Sequence, residues 1–323
     1  MVRAIVVTAP GEPLTLAEVP EPEAGRADLL VQVAAAGVNR ADLLQAAGLY
    51  PPPPGAPPWP GLEVSGTVVS VGADVAGWAV GDRLAALLPG GGYAQRVAVP
   101  AGLALPVGDR PDLVDAAALP EALATVWSTL ARAGFEAGDT VLVRGGSGGI
   151  GTVAVQLARA AGARVLATAG GPERCARVAA LGVDVVVDHR APGLVEAVLA
   201  ATDGRGVDIV LDVIGAAALA ENLTMLAADG RLAIVGLQKG RRGELDLGLM
   251  MDKRAALVVT ALRSRPLAQK LTIMADVREH VWPMVTAGRI RPVVHARLPL
   301  AAAAEAHRAM AAGEAFGKIL LIP

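Results

Sequence analysis

A glycine-rich run at residues 146–151 reads GSGGIG and follows a short apolar stretch. Its spacing fits G-x-G-x-x-G, the pattern of a phosphate-binding turn between a strand and a helix. Glycines at these positions let the backbone turn tightly and approach a pyrophosphate without a Cβ in the way. The free amides and the positive end of the helix dipole then face the anion. The run therefore predicts dinucleotide binding, with a purely structural turn as the alternative.

The end of the next predicted strand distinguishes NAD from NADP, because the adenosine ribose lies there in a dinucleotide-binding fold. An NAD enzyme usually presents Asp or Glu about 20 residues after the loop. Residues 167–172 read ATAGGP and contain no acid, and Arg174 follows. A guanidinium pairs well with a 2′-phosphate. The pattern predicts NADPH; the alternative is that Arg174, beside Glu173, is an ordinary solvated helix residue.

The sequence shows neither the spacing of a metal-binding site nor the motif of an activated nucleophile. The four histidines all follow the glycine-rich run, and none stands in an H-E-x-x-H spacing. They are His189, His280, His295 and His307. The single cysteine, Cys175, excludes an internal disulfide and a multi-thiolate metal site. No serine elbow is followed by an obvious triad. We therefore expect chemistry that a cofactor carries without a metal.

Three regions of different texture must position these residues. The first third has short Val-rich runs, such as 29–33 and 66–71, broken by Gly and Pro, which predicts a β-rich domain. From about residue 120, apolar strands alternate with helices, which favours a parallel sheet covered on both faces. The predicted strands are 140–144, 164–168, 183–187, 208–212, 231–235 and 256–260, and the predicted helices include 152–161 and 173–181. The tail, with a helix at 301–311 and a strand at 318–322, is expected to fold back onto the first region.

Composition excludes several classes of function. Hydrophobic residues make up 53% of the 323 residues and charged residues 19%, and the net charge is −2. This balance supports two domains with large cores and provides no basic footprint for nucleic acid or an anionic membrane. No apolar run approaches the roughly 20 residues of a membrane span, and the first residues lack a signal-peptide pattern. We expect a cytoplasmic protein that binds neither nucleic acid nor membrane.

Six short segments spread along the chain form a more specific pattern than the glycine-rich run alone. They are NRADL at 39–43, GLYPPPPG at 48–55, GLEVSG at 61–66, LLPGGG at 87–92, GSGGIG at 146–151 and LRSR at 262–265. Together they resemble the medium-chain dehydrogenase/reductase superfamily, within it the zinc-free quinone oxidoreductases, and most closely the p53-inducible quinone oxidoreductase group.

The resemblance implies an α/β fold with two domains. A GroES-like β-rich catalytic domain would cover residues 1–120, completed by 265–323, and a Rossmann domain with a doubly wound parallel sheet would cover 121–264. The active cleft would lie between them. In relatives the sixth strands of two subunits pair, so the apolar stretch 256–262 implies a homodimer.

The resemblance also implies which residues act. Zinc-dependent relatives carry Cys where this chain has Asn39, and Gly-His-Glu where residues 61–63 read GLE. The resemblance therefore implies a protein without zinc. In zinc-free relatives, residues matching Asn39 and Tyr50 line the nicotinamide cleft, and we expect both to be catalytic by hydrogen bonding to substrate oxygens. Packing beside the proline run is the alternative for Tyr50.

Contacts with the cofactor are carried over by position in the family. They are Asn39, Thr125, Gly148, Gly149, Ile150, Gly170, Gly171, Arg174, His189, Gly236, Leu262, Ser264 and Lys318. Departures from the family pattern include His189 in place of a Tyr near the adenine and Gly148 in place of a Ser. They put the choice of cofactor in question more than the fold.

The activity that the resemblance implies is reduction of a quinone, or of another small conjugated carbonyl compound, by NADPH. Two alternatives stay open at the level of sequence. One is an enoyl or alkenal reductase that adds hydride to an activated double bond. The other is a non-catalytic, crystallin-like protein that binds NADPH without turnover.

Overall fold

The computed structural model describes residues 1–323, which form fifteen strands and eleven α-helices. The strands are β1 (Val2–Val6), β2 (Thr15–Val19), β3 (Asp28–Gly37), β4 (Glu63–Val71), β5 (Arg83–Leu87), β6 (Arg96–Pro100), β7 (Ala104–Pro106), β8 (Thr140–Val143), β9 (Arg164–Ala169), β10 (Val185–Asp188), β11 (Val207–Asp212), β12 (Leu226–Ile234), β13 (Ala256–Val259), β14 (Val294–Pro299) and β15 (Lys318–Ile322). The helices are α1 (Arg40–Ala46), α2 (Leu113–Ala116), α3 (Pro120–Arg132), α4 (Gly149–Ala160), α5 (Pro172–Ala179), α6 (Leu194–Ala200), α7 (Leu219–Met225), α8 (Leu247–Lys253), α9 (Leu267–Asp276), α10 (Trp282–Thr286) and α11 (Ala303–Ala311). None of these helices combines the length and the apolar character that crossing a membrane requires.

The chain divides into two compact units. One comprises Met1–Ala124 together with Arg263–Pro323, and the other is Thr125–Leu262. We call them the split unit and the central unit.

The central unit is built on one six-stranded sheet whose neighbouring strands are all parallel, in the order β10-β9-β8-β11-β12-β13. Counted within the unit this order is 3-2-1-4-5-6, that of the doubly wound dinucleotide-binding fold. The central strands β8 and β11 are buried along their whole length, which explains their near-continuous Val, Ile and Leu residues. The predicted parallel sheet is confirmed.

The split unit contains a seven-stranded sheet and a separate antiparallel pair, β1 with β2. The long strand β3 lies at the centre, since it pairs with β4, β6 and β15. Strand β15 from the tail runs antiparallel to β3, with Leu321 opposite Ala36, and β14 adds to β15 in parallel. The tail therefore lies in the same unit as the first region.

The observed element boundaries differ from the predicted ones in two places. In one, polar residues hide the start of a strand; in the other, a tighter turn precedes a helix. The apolar pattern predicts strand β12 at 231–235, but it begins at Leu226, because the sequence Ala-Ala-Asp-Gly at 227–230 hides its first half. The pattern also predicts the tail helix from residue 301, whereas a 3-10 turn, Leu300–Ala302, precedes α11. Such turns are common at helix ends.

Candidate functional site

The carboxyl edge of the parallel sheet in the central unit collects four of the sequence-predicted residues. Gly148 follows β8, Gly170 follows β9, His189 follows β10 and Gly236 follows β12. Two of them are in direct proximity, since a methyl group built on Gly170 would lie 3.1 Å from His189 Nε2. This edge is where open parallel sheets bind ligands.

The glycine-rich turn is fixed to the neighbouring strand by its backbone. The amide of Gly145 donates to Thr168 Oγ1 at 3.0 Å, and the amide of Gly146 donates to the carbonyl of Thr168 at 2.8 Å. Helix α4 then begins at Gly149, with Gly148 as its N-cap. The first-turn amides of a helix have no acceptor within it, so they face the space beyond the turn.

Close packing of α4 on the turn requires a glycine inside the helix. A methyl group on Gly151 would come within 2.0 Å of the carbonyl oxygen of Gly145. A methyl group on Gly148 would meet nothing nearer than 3.7 Å, so the mouth of the turn is open. A helix N-terminus with exposed amides, reached over glycines, fits the pyrophosphate of a dinucleotide.

The adenosine end of this predicted site is closed by the residues after β10. Asp188 Oδ1 accepts hydrogen bonds from the amides of Gly171 and Arg190, both at 2.9 Å. These two bonds hold the pKa of Asp188 below its ordinary value. Burial lowers the pKa of His189, so its ring is neutral at pH 7. Arg174 lies in the first turn of α5 and is half-buried.

A second group of polar residues is buried in the split unit. Asn39 is the N-cap residue of α1, and its side-chain Nδ2 donates to Glu63 Oε1 at 2.8 Å. Lys318 Nζ donates to Asn39 Oδ1 at 2.6 Å and also to Glu63 Oε1. All three residues are at most 7% exposed. We call these three residues the Lys318 cluster; it engages both ends of the Asn39 amide.

Carboxyl groups around the Lys318 cluster outnumber its one ammonium. Glu63 Oε2 accepts a hydrogen bond from the amide of Glu121 at 2.9 Å. Burial, together with the charge of Glu63, raises the pKa of the Glu121 carboxyl to about 8. Burial likewise raises the pKa of Asp42 to about 6, although the amides of Gly61 and Asn39 donate to it. Glu121 therefore retains its proton at neutral pH, while Asp42 is ionised.

Tyr50 lies beyond the other end of α1 and is held there by Arg263. The Arg263 guanidinium donates to the carbonyl of Tyr50 at 3.3 Å, to Gln45 Oε1 at 2.5 Å and to the carbonyl of Pro89 at 2.8 Å. Its Cζ atom lies 5.3 Å from the centre of the Tyr50 ring. Burial raises the pKa of the Tyr50 hydroxyl, so this group is a proton-bearing donor.

The remaining predicted residues are spread over both units. Thr125 lies on α3, where its carbonyl accepts from Thr129 Oγ1 at 2.7 Å. Leu262 is buried and ends the central unit, whereas Ser264 is exposed and belongs to the split unit. The structure thus joins Lys318 directly to Asn39.

Sequence reasoning missed four charged residues that shape these regions: Glu63, Glu121, Arg190 and Arg263. Glu63 and Arg263 each lie in a segment that carries the family resemblance, and this placement could have indicated that they matter for the site. Arg190 gave none, because its contact with the turn after β9 crosses from one strand end to the next.

Two family models match the chain. The model described as alcohol dehydrogenase GroES-like domain matches residues 25–109, and the one described as zinc-binding dehydrogenase matches residues 149–276. Together they cover parts of both units.

Solved structures match over nearly the full length. The quinone oxidoreductase of Thermus thermophilus, solved also in complex with NADPH, is 35% identical with a TM-score of 0.85, over 99% of this chain and 100% of that one. A quinone oxidoreductase of Pseudomonas syringae is 29% identical with a TM-score of 0.85 over all of both chains.

Curated relatives are much longer proteins. The phthioceranic/hydroxyphthioceranic acid synthase of Mycobacterium tuberculosis is 35% identical over 298 residues, which are 92% of this chain and 14% of that protein. This chain thus spans about one seventh of the length of the curated relatives it matches.

Zinc, which the second family model names, can be tested against the side chains present. No group of three or more His, Cys, Asp or Glu residues is arranged to hold a metal ion. At the two positions where the resemblance puts zinc ligands, this chain has Asn39, whose Oδ1 accepts from the Lys318 ammonium, and the apolar Leu62. Because zinc sites use Cys, His and carboxylate ligands, an amide and a leucine at these positions do not fit zinc.

Proposed function

This chain belongs to the medium-chain dehydrogenase/reductase superfamily of oxidoreductases, and we propose that it is a zinc-independent, NADPH-dependent quinone oxidoreductase. The observation that carries the proposal is the full-length likeness to a quinone oxidoreductase whose structure was also solved with NADPH. The six sequence segments support assignment to the p53-inducible group within the family.

The nicotinamide cofactor supplies the hydride in this proposal. The amides of Gly149 and Ile150 would bind its pyrophosphate, since they lie in the first turn of α4 behind an open glycine. Gly170, Gly171 and Arg174 would surround the adenosine ribose and its phosphate. Both sets of residues bind and orient the cofactor without touching the reacting atoms.

Asn39 and Tyr50 would line the cleft beside the reacting part of the substrate. The Asn39 amide is already held at both ends by Glu63 and Lys318, so Asn39 would contribute a fixed dipole and Tyr50 the free hydrogen-bond donor. The Tyr50 hydroxyl would donate a hydrogen bond to a substrate oxygen as negative charge develops there. The family positions also imply supporting contacts with the cofactor, from Thr125, Leu262, Ser264 and Lys318.

Kinetics with a panel of acceptors test the proposal. NADPH oxidation should be measured with benzoquinones, naphthoquinones, phenanthrenequinone and 2-enals, and kcat/KM should be at least tenfold higher for the best quinone. A preference for the 2-enals would overturn the quinone assignment. Binding of NADPH without turnover of any acceptor would overturn the proposal in favour of the non-catalytic alternative.

An enoyl or alkenal reductase is the second candidate function. Nearly all of this chain matches a short stretch of polyketide synthases, so chains of this family also occur in enzymes that are not named quinone oxidoreductases. Reduction of a carbon–carbon double bond needs a proton at carbon as well as a hydride, so this activity should depend on a protein acid more than quinone reduction does.

A homodimer formed through β13 completes the proposal. This strand is at the edge of the parallel sheet, and Leu257 and Val259 on it are 37% and 58% exposed. An exposed apolar edge strand favours pairing with another strand. Light scattering should give twice the chain mass of 32.6 kDa, and Val259→Lys should halve it. A monomeric wild-type protein would contradict the dimer.

A further inference from the structure

Arg190 lies against the turn that follows β9, although it comes from the end of β10. A methyl group built on Gly170 would approach Arg190 Nε to 2.9 Å, and one built on Gly171 would approach Nη1 to 3.5 Å. The guanidinium therefore covers both glycines of the turn. Any larger side chain at Gly170 would displace it.

The backbone from which the Arg190 side chain projects is fixed. Asp188 Oδ1 accepts from the amides of Gly171 and Arg190, so one carboxylate ties the two strand ends together. Gly171 has a φ of +85°, a conformation that favours glycine and leaves the turn without a side chain. Rigid backbone thus holds Arg190 beside an open turn.

The Arg190 side chain itself is not used for stability. It is exposed, and its guanidinium forms no hydrogen bond or ion pair with another side chain or carbonyl of the protein. The carboxylate of Asp188 lies near enough to interact with it electrostatically but is already occupied by the two amides. A guanidinium with five free donors can bind a phosphate through two parallel hydrogen bonds.

The place of Arg190 in the sheet indicates which ligand its guanidinium would bind. In a doubly wound sheet, the turn after the second strand faces the ribose of the adenosine, and an arginine nearby accommodates a 2′-phosphate. Asp188 places a negative charge beside the same turn, which would repel a dianion unless a cation offset it.

We propose that Arg190 is a specificity-determining residue that binds the 2′-phosphate of NADPH. The assignment deepens the proposed function and rests on it. Arg190 acts from the end of the third strand of the sheet, whereas Arg174 acts from helix α5, so the two guanidiniums would hold the phosphate from two sides. Arg190 also shields that phosphate from the Asp188 carboxylate.

Calorimetry with two nucleotide fragments tests the proposal without any acceptor. The probes are 2′,5′-ADP, which carries the 2′-phosphate, and 5′-AMP, which lacks it. Wild-type protein should bind 2′,5′-ADP at least tenfold more tightly. Arg190→Ala should weaken 2′,5′-ADP by about tenfold or more, the effect of losing hydrogen bonds to a charged group, and leave 5′-AMP unchanged. Arg190→Lys should recover part of the loss, because it keeps the charge but not the paired donors.

Arg164→Ala is the matched control, since Arg164 begins β9 at the opposite edge of the sheet and loses the same charge. It should change neither affinity. Equal weakening of both probes, or of neither, by Arg190→Ala would overturn the role of Arg190 even if NADPH-dependent turnover is intact. If wild-type protein binds neither probe, the nucleotide site fails, and the proposed function and the role of Arg190 fail with it.

Discussion

The glycine-rich turn of the central unit and the Lys318 cluster of the split unit are built in opposite ways. The turn consists of backbone: its glycines remove side chains, and its amides are left facing outward. The cluster consists of side chains that use their donors and acceptors on one another. An open set of donors is suited to bind a ligand, whereas a closed set is suited to fix a geometry. The comparison teaches that the turn leaves its donors available to a ligand, whereas the cluster holds its own side chains in place.

The two constructions should fail for different physical reasons. Adding atoms where α4 packs on the turn should disrupt it through steric overlap, because Gly151 has no space beside the Gly145 carbonyl. Removing a charge from the cluster should disrupt it through electrostatics, because the remaining charge stays buried without its partner.

The largest effect is expected from Lys318→Met, which leaves the buried Glu63 side chain without its ammonium partner. Breaking a buried ion pair by removing one partner costs about 3–5 kcal/mol, and we expect a loss of that size in the free energy of unfolding. The double variant Lys318→Met with Glu63→Gln should regain at least half of it, because the uncompensated charge is gone. Urea denaturation measures both.

Lys253→Met is the matched control for that prediction. The Lys253 ammonium donates to the carbonyls of Thr224 and Leu226 and has no carboxylate partner, so its loss should cost only about 1 kcal/mol. A Lys318→Met protein as stable as the wild type would show that the cluster does not depend on its ammonium.

An intermediate effect is expected from Gly151→Ala in the turn. Helix propensity alone predicts a gain of about 1 kcal/mol, because alanine replaces glycine inside α4. The contact of 2.0 Å with the carbonyl of Gly145 predicts the opposite sign, a loss of about 1–3 kcal/mol from overpacking, and weaker NADPH binding. Thermal unfolding decides between the two signs.

Gly148→Ala sharpens the same comparison within one loop. The added methyl group would be 3.7 Å from its nearest neighbour, so stability should stay within about 0.5 kcal/mol of the wild type. If both alanine variants lose the same stability, the turn is limited by flexibility and not by space.

A further effect is expected from Glu121→Gln and concerns pH. The pKa of Glu121 is about 8 in the folded protein, against an ordinary value of 4.5. The folded state therefore binds more protons than the unfolded state between these values, and the free energy of unfolding falls as pH rises from about 4.5 to 8. The variant should flatten this slope and be more stable than the wild type at pH 8. Denaturation at several pH values measures this slope in both proteins. If the variant keeps the slope of the wild type, the raised pKa of Glu121 is contradicted.

Local pattern made much of the fold predictable. The apolar runs of the central unit indicated six strands because parallel strands buried on both faces need uninterrupted Val, Ile and Leu. Residues 146–151 indicated the turn because the spacing of their glycines is that of a phosphate-binding turn, and Gly151 lies where the structure has no space for a Cβ. The half-polar strand β12 was found only in part, since its first residues resemble a loop. The roles of the predicted site residues stay predictions.

The amino-acid sequence by itself determined the α/β class, the position of the glycine-rich turn and the family. Only the tertiary structure decided which charges meet. Lys318 reaches Glu63 across 255 residues and Asn39 across 279, and Arg190 reaches Gly170 from a neighbouring strand end. Periodicity records which face of an element is buried, because that depends on residues a few positions apart. Contacts between side chains on distant elements leave no such record, since strand order and register set them.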